Sequence, residues 1–435
     1  MALWLILSAT LVLKLAVVLL LIPKLTEYLP YTIGGFVDRY DNIAENLLSG
    51  NGYRIYPDTS ETLLRSPGYV LLLTGLFYLF GKSLAAAQVI NILFGLATAY
   101  IIALITRQWV MPRSTSPDGG GNIEWAPLFP AMLFLFYPGI ILAETRGGVE
   151  SFFILLLTSL VFFLYRLICF NRTRDYVVAG VTLGLTMLVK STPALIPLAF
   201  FPYLLLRAKS VGVTRVSVVT NFAAMGLAAL IVLTPWGLRN YGLTGDFMLT
   251  STVKGTTAHQ GLYVNKHFGS GRDRDPLLIE ATDQQSAIAD ELGIKHLHGF
   301  FNVFYSVKDE VNFDRHLFQL VVDEYKADPT LLLKSCILNF GGFWFLGKSS
   351  SATYLNMALV GPLLLIAGWG TYSGYRRRFN ITPLIIVIGI FIVPHLPILG
   401  VARYHIPLIP FLVILATIPF MKGPVSGGQN YQFAL

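Results

Sequence analysis

Acidic side chains stand where they could act on a hydroxyl group. Asp38 and Asp41 open a short segment whose apolar residues recur at helical spacing, and Gly50 and Gly52 end it. A carboxylate at such a position can serve as the general base that removes a hydroxyl proton. Asp38 as a helix N-cap, with Asp41 as its capping-box partner, would explain the same residues, so both interpretations stay open.

A second group of charges lies in a turn between two apolar segments. Glu144, Arg146 and Glu150 fall within seven residues of each other and follow the pair Tyr137-Pro138. Charges so close to apolar helices are costly and usually face a cavity or a charged partner. They would either line an active site or form an ion pair of Arg146 with one of the two glutamates.

Single cations end or begin three further apolar segments. Lys190, Arg239 and Arg403 lie far apart in the chain, and each would anchor its own helix at the lipid headgroups if it acted alone. Three cations at one depth suit a phosphate or pyrophosphate, to which arginine can donate two hydrogen bonds. His395 and His405 could be proton relays or metal ligands, but no second histidine stands four residues on to support a metal site, so a packing role is favoured for both.

The composition requires that these residues be positioned by membrane helices. Of 435 residues, 54% are hydrophobic and 13% are charged, and the mean hydropathy is +0.63; soluble domains have about 25% charged residues. A soluble enzyme, a nucleic-acid binder and a disordered chain are therefore excluded. Apolar runs near 20 residues without alternation favour helices over a barrel. The net charge of +8 is attributed to cytoplasmic loops, and residues 3–22 are expected to be a retained anchor.

The distribution of basic residues predicts the topology. Short basic loops around Arg107, Arg172, Arg207 and Arg377 mark the cytoplasmic side. Twelve apolar segments cannot alternate across the membrane and satisfy these loops. We therefore expect segments 67–81 and 330–347 to be interfacial helices, which leaves about ten spans and places both termini in the cytoplasm.

This topology divides the chain into three parts. They are a catalytic membrane module at 1–237, an outer loop at 238–352 with the interfacial helix 330–347, and C-terminal spans at 353–435. The first module carries an outer loop at 25–82 with interfacial helices at 39–48 and 67–81. The Gly- and Ser-containing segment 269–275 is predicted to be a mobile loop.

A set of short motifs, in order, resembles a known family. The motifs are Leu47–Tyr53, Arg65–Tyr69, Tyr137-Pro138 with Glu150, Gly180–Lys190, Pro235–Tyr241 and Arg403–Phe411. Together they resemble the GT-C glycosyltransferases of the dolichyl-phosphate-mannose protein mannosyltransferase type, a group that includes the bacterial aminoarabinose transferase of lipid A. The resemblance covers residues 35–420.

The resemblance implies a GT-C fold, a polyprenyl-phosphate-linked sugar as donor and an active site facing the periplasm. It implies that Asp38 or Asp41 is the catalytic acid of the first loop and that Glu150 is a second acid. The residues implied to bind the donor phosphate are Lys190, Arg239, Arg403 and Tyr404, with Arg65, Arg146, Glu144 and His405 in support. Dependence on Mg²⁺ or Mn²⁺ stays open, and no other cofactor is implied.

The sequence therefore predicts a bacterial inner-membrane glycosyltransferase. It would move a hexose or pentose to a hydroxyl of a lipid, glycan or protein, with inversion at the anomeric carbon. A lipid-linked sugar flippase would also need phosphate-binding cations, although it would more often show two related halves, which are absent from the sequence. A ligase that transfers an oligosaccharide from a polyprenyl pyrophosphate is the other alternative.

Overall fold

A computed structural model describes residues 2–21, 24, 35–110, 127–268, 273–299 and 301–421 of the chain. This part contains seventeen α-helices, seven short 3₁₀ or π-helical segments and one small hairpin, which confirms the predicted all-α class. The helices are α1 (Ala2–Ala16), α2 (Tyr40–Leu48), α3 (Pro67–Phe80), α4 (Leu84–Ile105), α5 (Leu128–Leu135), α6 (Pro138–Thr145), α7 (Glu150–Phe170), α8 (Thr173–Met187), α9 (Ile196–Ala208), α10 (Arg215–Thr244), α11 (Lys254–Lys266), α12 (Arg274–Glu291), α13 (Val307–Ala327), α14 (Pro329–Phe345), α15 (Ser350–Arg376), α16 (Thr382–Ile392) and α17 (Ile409–Thr417). The hairpin pairs β1 (His296–Leu297) with β2 (Val303–Phe304) in antiparallel register.

Several helices are long and apolar enough to cross a membrane. Within the described residues six such stretches are found: Ala2–Leu21, Leu84–Gln108, Glu150–Phe170, Arg215–Thr244, Ser350–Arg376 and Ala402–Phe420. The pair α5 and α6 bends by 55° and gives a seventh span if it is counted as one. A multispan protein is confirmed, while the count of about ten spans stays a prediction.

The segments predicted to lie at the interface are helical. Helices α2, α3 and α14 match the predicted segments 39–48, 67–81 and 330–347 closely, and α3 is a short apolar helix. Their placement at a membrane surface stays a prediction. The region 238–352 contains helices α11 to α14. Residues 269–272 of the predicted loop 269–275 lie outside the described part, and α12 begins at Arg274 within that loop. The start of the loop 25–82 and the residues after 421 also lie outside the described part.

Glycines allow the membrane helices to pack closely. A Cβ atom at Gly180 of α8 would lie 2.2 Å from the carbonyl oxygen of Met225 in α10, and one at Gly184 would lie 3.0 Å from that of Ala229. Small residues permit this close approach of helix backbones, which is the main source of packing between apolar helices in lipid. Helix α8 also packs on α7, and Lys190, three residues after α8, lies 3.8 Å from Glu150 at the start of α7.

Candidate active site

Arg403 joins two acids that come from distant parts of the chain. It lies in the 3₁₀ turn Ala402–Leu408 that leads into α17. Its Nε donates to Glu150 Oε1 at 2.7 Å, and its Nη2 lies 2.6 Å from the same oxygen. Nη2 also donates to Asp38 Oδ2. Glu150 is the first residue of α7, so the N-terminal ends of two candidate spans meet here.

Asp38 is held in an uncommon backbone conformation. Asp38 has a φ of 62° and Arg39 a φ of 61°, in the left-handed region that costs free energy for residues other than glycine. Arg65, just before α3, donates from Nε to the Asp38 carbonyl oxygen at 3.0 Å, and its Nη2 lies 3.8 Å from Asp38 Oδ1. The N-cap interpretation of Asp38 is wrong, because α2 begins after Arg39 and has no side-chain cap.

The charges around Asp38 determine its ionisation. Burial alone would raise the pKa of its carboxyl group, but the guanidinium groups of Arg403 and Arg65 outweigh burial and lower the pKa well below its usual range. Asp38 is therefore ionised in the resting protein throughout the neutral pH range.

Two more cations face the same acids. Lys190 Nζ lies 3.8 Å from Glu150 Oε1 and 5.4 Å from the centre of the Phe153 ring. Burial lowers the pKa of Lys190, while Glu150 partly restores it. Burial and the nearby charge of Arg403 lower the pKa of Arg146. We call Asp38, Arg65, Glu150, Lys190 and Arg403 the Arg403 cluster.

The turn between α6 and α7 fixes the relation of Asp38 to Glu150. Gly147 donates its backbone N–H to the Gly35 carbonyl oxygen at 3.0 Å and forms a parallel bridge with Phe36. A Cβ atom at Gly147 would lie 2.3 Å from the Phe36 ring, so a larger residue would push the two segments apart. The segment before Asp38 is thereby tied to the turn before Glu150.

The Arg403 cluster is open to a ligand on one side. The Arg403 side chain is 41% exposed, whereas that of Glu150 is 8% exposed. An accessible guanidinium backed by buried acids, with a second cation beside it, can take up a phosphate group. The two acids can accept a proton or orient a hydroxyl group.

Two acids predicted for the site pair elsewhere. Asp41 lies 3.3 Å from Lys82 Nζ, which also contacts Glu45 at 2.8 Å. Glu144 accepts hydrogen bonds from Lys14 of α1 at 2.8 Å and 2.6 Å. The expectation that Glu144 pairs with Arg146 therefore does not describe this turn.

Arg239 lies in a separate group of polar residues. Its Nη2 donates to Glu61 Oε2 at 2.9 Å, and its guanidinium lies 4.5 Å from the Trp236 ring. The adjoining Thr62 hydroxyl donates to Glu310 Oε2 at 2.7 Å. We call Glu61, Thr62, Arg239, Thr252 and Glu310 the Glu310 cluster, because Thr252 also donates to that carboxylate. The Glu310 cluster connects the first predicted outer loop, through Glu61 and Thr62, to Arg239 of α10 and Glu310 of α13.

The two residues after Arg403 have aromatic surroundings. The Tyr404 ring centre lies 4.7 Å from that of His395. His405 is 1% exposed, its Nε2 lies 3.4 Å from the Tyr137 hydroxyl, and its ring packs near Trp344. Both positions suit packing beneath the Arg403 cluster.

Sequence reasoning missed Lys14, Glu61 and Glu310. Lys14 looked like part of an anchor, and the two glutamates lie in segments without a motif. The described residues contain no group of three or more His, Cys, Asp or Glu side chains that could hold a divalent metal ion. The two acids of the Arg403 cluster are already paired with cations.

Acids and cations at the ends of apolar helices commonly mark functional sites in membrane proteins. Residues 65–238 match the family model described as dolichyl-phosphate-mannose-protein mannosyltransferase. Over these residues, the match confirms the resemblance to the dolichyl-phosphate-mannose protein mannosyltransferase type that the motifs indicate. It includes Arg65, Glu150 and Lys190.

Two solved structures are similar at low identity. ArnT from Cupriavidus metallidurans bound to undecaprenyl phosphate is 14% identical, with a TM-score of 0.40, over 93% of this chain and 76% of that one. ArnT from the same organism in the apo state is also 14% identical, with a TM-score of 0.38, over 94% and 77% of the two chains. No curated protein matches the chain.

Proposed function

We propose that this protein transfers one sugar from a polyprenyl-phosphate donor to a hydroxyl group of an acceptor, at the periplasmic face of a bacterial inner membrane. The observation that carries the proposal is the bridge of Arg403 between Asp38 and Glu150. In this bridge the Asp38 carboxylate lies beside an exposed cation, near the ends of two candidate spans. The family match supports the glycosyltransferase class.

In this proposal Arg403 and Lys190 bind the donor phosphate. Both cations contact Glu150 Oε1 in the resting protein, so a phosphate near this acid would meet both of them. Negative charge grows on the phosphate oxygen as the bond to the sugar breaks. Fixed cations stabilise such a charge more in the transition state than in the ground state, which is how they accelerate the reaction.

Asp38 acts as the base in the proposed reaction. The acceptor hydroxyl gives its proton to the Asp38 carboxylate, and its oxygen forms a bond to the anomeric carbon. The bond from that carbon to the phosphate oxygen breaks, and its electron pair leaves with the polyprenyl phosphate. One displacement of this kind inverts the anomeric carbon.

Donor binding would also make Asp38 a better base. In the resting protein Arg403 and Arg65 hold the pKa of Asp38 low, and a weakly basic carboxylate is a poor proton acceptor. A phosphate that draws Arg403 toward itself would weaken this restraint and raise the pKa of Asp38, although Arg65 would still lower it. Proton transfer would then be favoured when a donor is present.

Transfer in liposomes tests the proposal. We would incubate the purified protein with labelled polyprenyl-phosphate monosaccharides and with lipid, glycan and protein acceptors. Transfer of a single sugar to one acceptor is expected. Movement of the labelled lipid across the bilayer without transfer would establish a flippase instead, and transfer only from a pyrophosphate-linked oligosaccharide would establish a ligase.

A further inference from the structure

An ion pair lies inside the helical part of the molecule, away from the Arg403 cluster. Lys14 of α1 donates to both carboxylate oxygens of Glu144, the next-to-last residue of α6, and the two side chains are 8% and 2% exposed. Lys14 belongs to a candidate span, and Glu144 belongs to the bent apolar pair α5 and α6. Charges in such surroundings persist only with a partner, so each requires the other.

One face of α4 holds the residues that follow Glu144. Gln88 donates to the Thr145 carbonyl oxygen at 2.7 Å, and Asn91 donates to that of Arg146 at 2.8 Å. A Cβ atom at Gly95 would lie only 2.0 Å from Glu144 Oε1. Positions 88, 91 and 95 share one helix face, so α4 offers two amide donors and a gap for the carboxylate.

The chain then passes directly into the Arg403 cluster. After Arg146, Gly147 forms the bridge to Phe36, and Glu150 begins α7 and binds Arg403. Any movement of Thr145 and Arg146 would therefore move the bridge to the segment that carries Asp38 and the start of the helix that carries Glu150.

We propose that Lys14 and Glu144, with Gln88, Asn91 and Gly95 of α4, form a positioning device for the turn 145–150. Lys14 neutralises Glu144 so that its carboxylate can lie against Gly95, and this fixes the carbonyl groups that α4 binds. None of these five residues belongs to the Arg403 cluster. The consequence for catalysis rests on the proposed function, whereas the positioning itself does not.

Cysteine labelling tests the positioning without any enzyme assay. Val149 is 1% exposed at the end of this turn, so Val149→Cys, in a chain with Cys169→Ser and Cys336→Ser, should react slowly with a maleimide in detergent. We expect Lys14→Met to accelerate labelling at least tenfold and Lys14→Arg, which keeps the pair, to leave it unchanged. Labelling at the parental rate in Lys14→Met would overturn the proposal.

A second buried cysteine separates local release from general unfolding. Leu63 is fully buried in the Glu310 cluster region, and Leu63→Cys should stay protected in the Lys14→Met chain. Equal acceleration at both cysteines would also contradict the proposal, because the device acts only on the turn.

Two glycine substitutions give a matched comparison. Gly95→Ala places a methyl group on the Glu144 carboxylate, whereas Gly226→Ala in the candidate span α10 meets nothing within 4 Å. We expect Gly95→Ala to accelerate Val149→Cys labelling and Gly226→Ala to leave it unchanged. Equal rates for the two chains would overturn the role of the gap at Gly95.

Kinetics then distinguish positioning from mere stabilisation. In folded Lys14→Met protein we expect the KM for the donor to rise at least fivefold, because Glu150 no longer holds Arg403 and Lys190 in place. A smaller active fraction with an unchanged donor KM would show a purely structural pair. If the wild-type chain transfers no sugar, the proposed function fails while the labelling result stands.

Discussion

The Nε atom of Arg403 lies 2.7 Å from Glu150 Oε1, although 253 positions separate the two residues in the sequence. The contact joins the beginnings of two candidate spans and therefore places them on one side of the molecule. Glu150 is buried whereas Arg403 is partly exposed, so the contact holds an accessible guanidinium against a fixed carboxylate. A bound phosphate could reach Arg403 from its exposed side while Lys190 stays beside Glu150.

Substitution of Arg403 tests its role as the phosphate-binding cation. We expect Arg403→Ala to lower kcat/KM for the donor by about 100-fold or more, the size of effect found for lost transition-state donors. Arg403→Lys keeps the charge but not the planar pair of donors, so an intermediate loss is expected. Single-turnover transfer measures both. Arg377→Ala, at the predicted cytoplasmic side, is the control, and an equal loss in that variant would contradict the assignment.

The alkaline side of the pH profile tests Lys190. Because burial lowers the pKa of Lys190, its positive charge is lost at a lower pH than that of an ordinary lysine. Donor affinity should therefore fall as the pH rises, and Lys190→Arg should shift this fall to higher pH because arginine stays protonated. Donor KM measured across the alkaline range checks this. Identical profiles for the two proteins would remove Lys190 from the phosphate site.

Arg239 and Glu61 provide a test of the separate Glu310 cluster. We expect Arg239→Met to lower the unfolding temperature and to change the donor KM by less than about threefold, because its guanidinium is bound to Glu61. A double-mutant cycle with Glu61→Gln should give a coupling near 1 kcal/mol. A rise in donor KM like that of Arg403→Ala would instead support the phosphate role that the family resemblance implies.

The pH dependence of stability tests the buried carboxyl group of Glu310. Burial raises its pKa above the ordinary value of 4.5, although Thr252 and Thr62 donate hydrogen bonds that oppose the rise. The folded chain thus holds this proton more tightly than the unfolded chain does. The resulting stabilisation is present below the ordinary pKa and is lost as the pH rises through the raised one.

Glu310→Gln cannot ionise, so its unfolding temperature should fall less than that of the wild type as the pH rises from about 4 to about 8. Thermal unfolding in detergent measures the difference, and Asp323→Asn on the exposed side of α13 is the control. Parallel curves for wild type and Glu310→Gln would contradict the account of this cluster.

The sequence is sufficient to predict the membrane helices and the charged residues at the ends of these helices. Long apolar runs indicate spans, and basic loops orient them, so Asp38, Glu150, Lys190 and Arg403 could be expected on one side. Pairing between these charges is set by tertiary packing. The left-handed backbone at Asp38 and the bridge at Gly147 leave no periodic signal in the sequence.

Other partners are hidden from sequence reasoning for different reasons. A single lysine in an apolar run, such as Lys14, looks like a helix-anchoring charge until its neighbour is known. Glu310 lies on an amphipathic helix, where acids are expected to face water. Only the three-dimensional structure shows that this one faces the first loop.

Comparison of Asp38→Asn with Asp41→Asn tests the central claim most directly. Both variants remove one carboxylate at the start of the same segment, but Asp38 contacts Arg403 and Asp41 contacts Lys82. Single-turnover sugar transfer should fall by a factor of about 100 to 10,000 in Asp38→Asn, the usual contribution of a general base, and change little in Asp41→Asn. Undiminished transfer in Asp38→Asn, or a selective loss in Asp41→Asn, would contradict the assignment of the base.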